Sequence, residues 1–222
     1  MNKDSDSRFT VDGYLTRQQA IAQNIILKDR FKAISLIGGV DVAFDKSYAY
    51  GGFVVLSFPE LKLIEQVTSK VKITYPYIPG FLFLSEEPAI VAAFNKLKHK
   101  PDIILLDGQG IAHPRRAGLA CAIGTTLNIP TIGCAKTRLI GDYTEPGRSK
   151  GSFSNLFDND EVIGYVLRTK TDTKPLFVSP GHLVSLETSK KIVLACCTKY
   201  RIPEPLRYAH TLSKLIKPYY HT

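Results

Sequence analysis

The stretch Leu105-Leu106-Asp107-Gly108-Gln109-Gly110-Ile111-Ala112-His113-Pro114-Arg115-Arg116 decides the fold. A short apolar run, residues 103–106, ends abruptly in a carboxylate, and two glycines, a histidine and a proline follow. In an α/β protein that order reads as a buried strand delivering Asp107 to its C-terminal rim, where ligands bind. Gly108 and Gly110 let the backbone turn tightly, and Pro114 suits the first position of a helix over 114–127. Gly118, Ala120, Ala122 and Gly124 leave that helix thin-sided, fit for close packing on a sheet. A second buried strand, 131–135, ends at Lys136. A strand–helix–strand run of this length is a crossover between parallel strands, so Asp107 and Lys136 share one rim. A lone Asp at such a place could equally cap a turn.

Upstream, residues 1–13 read as a flexible tail. Thr16-Arg17-Gln18-Gln19 fits a capping box for a helix through about Phe31, striped by Ala22, Ile25 and Ile26. Three consecutive strands follow, over 37–44, 48–58 and 61–73, and their short connections predict an antiparallel meander. Asp41 lies inside the first. A carboxylate within a central strand is costly to bury unless it meets a cation or donors. Tyr75-Pro76-Tyr77-Ile78-Pro79-Gly80 precludes regular structure and gives a stiff, aromatic-tipped loop, either a strand terminator or a wedge able to separate stacked bases. Ser85 then caps a helix with Glu86 and Glu87 in its first turn. Successive helix residues point about 100° apart, so only one of the two carboxylates can face a shared site.

Downstream, residues 141–159 are polar, rich in Gly, Pro and Ser, and read as a long surface loop that can meet the substrate. Residues 161–170 and 175–179 form a hairpin. Ser185 caps a helix over 186–200, and a last helix over 205–216 carries His210. No repeat or linker divides the 222 residues, so one domain is expected, an α/β fold whose mixed sheet joins three antiparallel strands to parallel ones, flanked by helices. No apolar run approaches the roughly 18 residues of a membrane span, and the polar start resembles no signal peptide. The four Cys, at 121, 134, 196 and 197, lack zinc spacing and read as reduced core thiols, which places the chain in the cytosol. Net charge is +9, and residues 108–222 hold 16 basic against 8 acidic side chains. Excess cation after the central Asp suits a polyanion partner, most simply nucleic acid.

Asp41, a Glu on the following helix and Asp107 can converge on one rim. Three crowded carboxylates repel unless a divalent cation neutralises them, and hard oxygen ligands call for Mg²⁺, with Mn²⁺ as its substitute. Two ions about 4 Å apart could orient a water and stabilise charge on a phosphate. A basic body with a carboxylate–metal centre is what phosphodiester hydrolysis requires.

These residues resemble the endonuclease V family, nucleases of deaminated adenine with a ribonuclease-H-like fold. The resemblance runs from about Gly39 to His210. It includes Gly39-Val40-Asp41-Val42, Tyr77-Ile78-Pro79-Gly80, Glu86, Asp107-Gly108, Gly110-Ile111-Ala112-His113-Pro114-Arg115, Ala135-Lys136, Pro180-Gly181-His182 and Leu206-Arg207-Tyr208-Ala209-His210. It implies that Asp41, Glu86 and Asp107 ligate the metal and that Lys136 contacts the scissile phosphate or its water. His210 would stand where relatives of this fold place a further acidic residue. Tyr77, with Pro76, Ile78 and Pro79, would be the wedge, and everted hypoxanthine would sit near Gly80, Gly108 and His113, read by backbone groups. The family cuts the second phosphodiester bond 3′ to the lesion, leaving 3′-hydroxyl and 5′-phosphate ends. One departure stands out: Glu86-Glu87-Pro88 replaces the family's Glu-Gly-Pro. Arg115, Arg116 and Arg138 are phosphate-contact candidates, His182 is equally a backbone partner, and the expected partner is deoxyinosine-containing DNA, bound by a monomer. Cleavage of inosine in RNA, a binding module without catalysis and a junction resolvase are the competing readings.

Overall fold

The computed structural model describes residues 10–75 and 78–217, so Pro76 and Tyr77 of the expected wedge lie outside the described residues. In chain order the elements are α1 (Val11–Gln23), β1 (Leu36–Phe44), β2 (Tyr48–Ser57), β3 (Leu63–Lys72), α2 (Leu82–Lys96), β4 (Ile103–Leu106) and α3 (Leu119–Leu127). Then come β5 (Thr131–Ala135), β6 (Phe153–Asp158), β7 (Glu161–Leu167), β8 (Leu176–His182), α4 (Leu186–Ala195) and α5 (Glu204–Ile216).

One eight-stranded sheet runs β3-β2-β1-β4-β5-β8-β7-β6. β1, β2 and β3 form the expected antiparallel meander. β4 lies parallel to β1, and β5 parallel to β4, which is the crossover read from residues 103–135. β8, β7 and β6 then add antiparallel strands on the far side. Each strand residue points to the face opposite its neighbour's, and β4 is covered on both faces. Ile104 and Leu106 pack with Tyr14 of α1, Phe83 of α2 and Leu119 of α3. Ile103 and Leu105 pack with Ile192 and Val193 of α4 and Leu206 of α5. An unbroken apolar run is therefore what this strand needs.

Several boundaries differ from the sequence expectation. α1 starts earlier, where the Thr10 hydroxyl accepts from Gly13 N at 3.2 Å, and Thr16 is an interior residue whose hydroxyl donates to the Asp12 carbonyl. The helix also stops at Gln23, because the next segment bonds elsewhere: Leu183 N donates to the Ile26 carbonyl, and Arg30 N to the Leu183 carbonyl. α2 begins at Leu82 rather than after Ser85, and Pro88 lies inside it. Glu86 is thus beyond the first turn. Pro114 does not open α3, which starts at Leu119, because residues 108–118 fold back on themselves. Gly118 N donates to the Gly110 carbonyl and Ala120 N to that of Gln109. Within the stretch read as loop, 153–158 is an edge strand paired with β7. α4 ends at Ala195, five residues short of the expected limit.

All four cysteines are unpaired and buried, and burial pushes the Cys121 and Cys197 thiols up to about 12. No helix among the described residues is long and apolar enough to cross a membrane.

α5 lies directly on β1 and β2. A Cβ at Gly39 would fall 2.3 Å from the Pro205 carbonyl, and one at Gly52 would fall 2.6 Å from Ser213 N. Such overlap is with backbone and cannot be relieved by a rotamer change. Gly39→Ala is therefore expected to lower unfolding stability by about 1–3 kcal/mol, read as a shifted urea midpoint. An unchanged midpoint would show that α5 does not depend on this close approach.

Candidate active site

Three elements carry the expected carboxylates: Asp41 lies in β1, Glu86 in α2, and Asp107 directly after β4. The close seat of α5 brings two of its residues to Asp41. His210 Nδ1 lies 3.1 Å from Asp41 Oδ2, and the Ser213 hydroxyl donates to the same oxygen at 2.6 Å. Lys136 leaves the end of β5 and donates to Asp107 Oδ2, as their shared rim predicts.

Glu86 is partly buried and has no cationic partner among the described residues. Desolvation, then the charges of Asp41 and Asp107, push its carboxyl well above the ordinary range. Asp41 and Asp107 are the charged groups that act on Glu86, which sets it apart from its neighbour Glu87. Glu87 points elsewhere: it accepts from Arg17 at 2.5 Å and from the Thr126 hydroxyl at 2.6 Å, tying α2 to α1 and α3. A second carboxylate in place of the family's glycine is thereby neutralised away from the rim.

The three acids supply hard oxygen donors whose mutual repulsion fits a divalent cation. Among the described residues they are not drawn into a closed cluster of three or more metal-competent side chains. Asp107 leans on Lys136, and Asp41 on His210 and Ser213.

Beside the rim, a cavity of about 140 Å³ is walled by Gln18 of α1, Gly80 and Phe83, Gln109, His113, residues 117–119, and Leu139. Its size approaches the ~150 Å³ that accommodates a benzene ring. His113 is buried here, and burial followed by the nearby Arg115 charge pushes its pKa down to about 4, so the ring is neutral at pH 7. Its Nδ1 accepts from Arg115 N at 3.2 Å. Gly80 adopts φ +81°, a conformation L side chains rarely take, and a Cβ there would meet the Arg115 guanidinium at 2.9 Å. Gly108, after Asp107, packs against Leu119 of the cavity wall.

Each arginine read as a phosphate-contact candidate has partners within the protein. Arg115 donates to Gln18 Oε1 and to the Gly80 carbonyl, and stacks over Phe81, so it latches the loop that walls the cavity. Arg116 pairs with Asp158 and Glu161 of the β6–β7 hairpin. Arg138 holds Gly141 and Asp142 at the surface and lines a separate cavity near Lys136. His182 closes β8, its Nδ1 accepting from Ile26 N. Ile78 and Pro79 lead into Gly80, and Ile78 packs on the core.

Comparison with known proteins decides the family. The endonuclease V family model matches residues 19–211. The chain is 49% identical over 197 residues to the endonuclease V of Dictyoglomus turgidum, covering 89% of this chain and 86% of the relative. The chain belongs to the endonuclease V family. It is therefore a nuclease, a hydrolase. The crystal structure of the Streptomyces avermitilis endonuclease V superposes with a TM-score of 0.88 at 36% identity, covering 93% of this chain and 92% of that one. The Ciona intestinalis endonuclease V, bound to DNA containing an inosine followed by a ribo-adenosine, gives 0.82 at 34% identity, with 92% and 96% covered.

Sequence reading overlooked Ser213, Gln18 and Gln109. Ser213 is three residues beyond His210, hence on the same helix face, and that spacing was the available signal. Gln18 belongs to a site assembled from an N-terminal helix, which no local pattern discloses.

The two glutamates make opposite predictions. Without divalent cations at neutral pH, Glu86→Gln should raise unfolding stability, because burial and the charges of Asp41 and Asp107 disfavour the ionised carboxyl in the folded state. The gain should fade as pH falls and wild-type Glu86 takes up its proton. Glu87→Ala should lower stability by about 1–3 kcal/mol by leaving Arg17 and Thr126 unmatched. Equal effects in urea titrations would place both side chains in one environment, contrary to the geometry.

Proposed function

We propose that the chain is a Mg²⁺-dependent endonuclease of deoxyinosine-containing DNA, hydrolysing the second phosphodiester bond 3′ to hypoxanthine, as a cytosolic monomer built of one domain. What supports this reading is the parallel pairing of β1 with β4, Val40 opposite Leu106, which sets the next residues, Asp41 and Asp107, side by side, with the charges of both raising the proton affinity of Glu86. Family membership and the inosine-bearing DNA on the Ciona relative support the substrate class.

Asp41, Glu86 and Asp107 would hold the cation, and His210 and Ser213 would keep Asp41 oriented. When bound, the cation supplies positive charge to the phosphate and lowers the pKa of an attacking water. Lys136 stands at the same rim, and its ammonium is placed to donate to a phosphate oxygen as negative charge builds there. The neighbouring cavity receives the everted base, with the Gly80 loop and the turn after Asp107 as its walls. Opening the stack falls to Tyr77 and its flanking Pro76, Ile78 and Pro79. The excess of cationic side chains after residue 107 holds the backbone at moderate ionic strength.

The test is an end-labelled duplex with one deoxyinosine, incubated with Mg²⁺ and mapped to single-nucleotide resolution beside a strand with inosine in RNA. A single cut one nucleotide beyond the lesion's 3′ neighbouring bond is expected, with Mn²⁺ in place of Mg²⁺ giving the same product. Asp107→Ala should reduce the rate at least ~10³-fold while leaving deoxyinosine binding largely intact. Cutting of the RNA strand alone would move the activity to inosine-containing RNA. Undiminished cutting by Asp107→Ala would remove the carboxylates from the chemistry.

A further inference from the structure

β5 and β8 run antiparallel, and their ladder ends with Ala135 opposite Phe177. Carrying it further would bring in Pro175, and a proline has no N–H to give. The gap falls beside Lys136, whose ammonium reaches Asp107 at the rim. Arg201, in the segment between α4 and α5, fills it. Its Nη2 donates to the Pro175 carbonyl at 2.8 Å and to the Lys136 carbonyl at 3.2 Å. Arg201 is itself anchored, because the hydroxyl of buried Thr169 donates to its carbonyl at 2.6 Å. Lys136 is therefore held at both ends, by Arg201 at its backbone and by Asp107 at its tip.

A staple between two carbonyls needs donors and does not need charge. Yet Arg201 is half-buried and has no carboxylate within ion-pair distance among the described residues. Its Nε is enclosed without a hydrogen-bond partner. Burial, then the Arg168 charge, disfavour its ionised form, with Asp107 opposing them. A neutral amide would bridge the carbonyls without that desolvation cost. What the cation adds is stiffness, since charge-assisted hydrogen bonds are roughly twice as strong as neutral ones.

We propose that Arg201 is a positioning residue for the hydrolytic centre, fixing the backbone of Lys136 so that its ammonium meets the scissile phosphate. The inference rests on the role given to Lys136 above. A lysine has a long, freely rotating stem, and loosening its base spreads the ammonium over many positions, few of them where charge develops.

The experiment is a double-mutant cycle on single-turnover nicking of a deoxyinosine duplex with Mg²⁺ at saturating enzyme. Arg201→Met is expected to slow cleavage at least ~10-fold, while binding of the same duplex without divalent cations stays within ~2-fold of wild type. In a Lys136→Met background the same substitution should slow cleavage less than ~2-fold further, because the residue it positions is gone. A merely structural staple would slow both backgrounds equally. That additive result overturns the assignment, as does an Arg201→Met enzyme as fast as wild type. Thr169→Val removes the bond that anchors Arg201 without touching either end of the staple. It should show the same dependence on Lys136, and it decides the matter by the same criteria if Arg201→Met does not fold. A wild type that nicks no deoxyinosine strand overturns the proposed function, and a Lys136→Met enzyme as fast as wild type overturns the role of Lys136. The inference falls with either. Its failure alone is the additive cycle, so the outcomes are distinguishable.

Discussion

Three carboxylates carried to one end of the central strands are the constraint on which the rest of this structure depends. Asp41, Glu86 and Asp107 come from three separate elements, and the fold brings their fields together at one end of the central strands. Such an arrangement works against folding unless something answers it. Around Asp107 the answer is Lys136, and around Asp41 it is His210 with the Ser213 hydroxyl. Glu86 has no such companion among the described residues and carries the raised proton affinity that results. The stability given up at this rim is supplied elsewhere, by strands whose side chains are buried on both faces.

The second constraint is proximity between backbones. α5 reaches Asp41 because Gly39 and Gly52 let it settle onto the sheet, and the turn after Asp107 closes because Gly110 and Gly118 admit carbonyl groups at contact distance. Glycines at these positions are thus components of the active site although none reacts. The latch of Arg115 on Gln18 and Gly80 plays the same part for the cavity, converting an irregular loop into a fixed wall.

Much of this was legible in the chain itself. The strand ending at Asp107, its parallel partner ending at Lys136 and the antiparallel meander containing Asp41 follow from apolar runs and turn residues, whose physics is local. Helix starts were less legible. Pro114 and Ser85 satisfy local rules for a first turn, but the backbone donors nearby are claimed by groups distant in sequence or by the loop's own carbonyls. The edge strand at 153–158 was masked because its exposed aromatic side chains, Phe153 and Phe157, alternate with polar ones in a Ser- and Asn-rich setting. Glu86 and Glu87 could be ordered only by geometry. Arg115 illustrates the opposite limit: a cation in a nucleic-acid enzyme invites a phosphate, yet two of its guanidinium nitrogens donate to Gln18 and Gly80.

The sulfur chemistry of the chain has a practical corollary. Thiols react with peroxides and alkylating agents as thiolates, and a thiol pushed up to about 12, as at Cys121 and Cys197, yields almost none at neutral pH. With all four cysteines buried, the folded chain offers oxidants and alkylating agents no exposed thiol to attack.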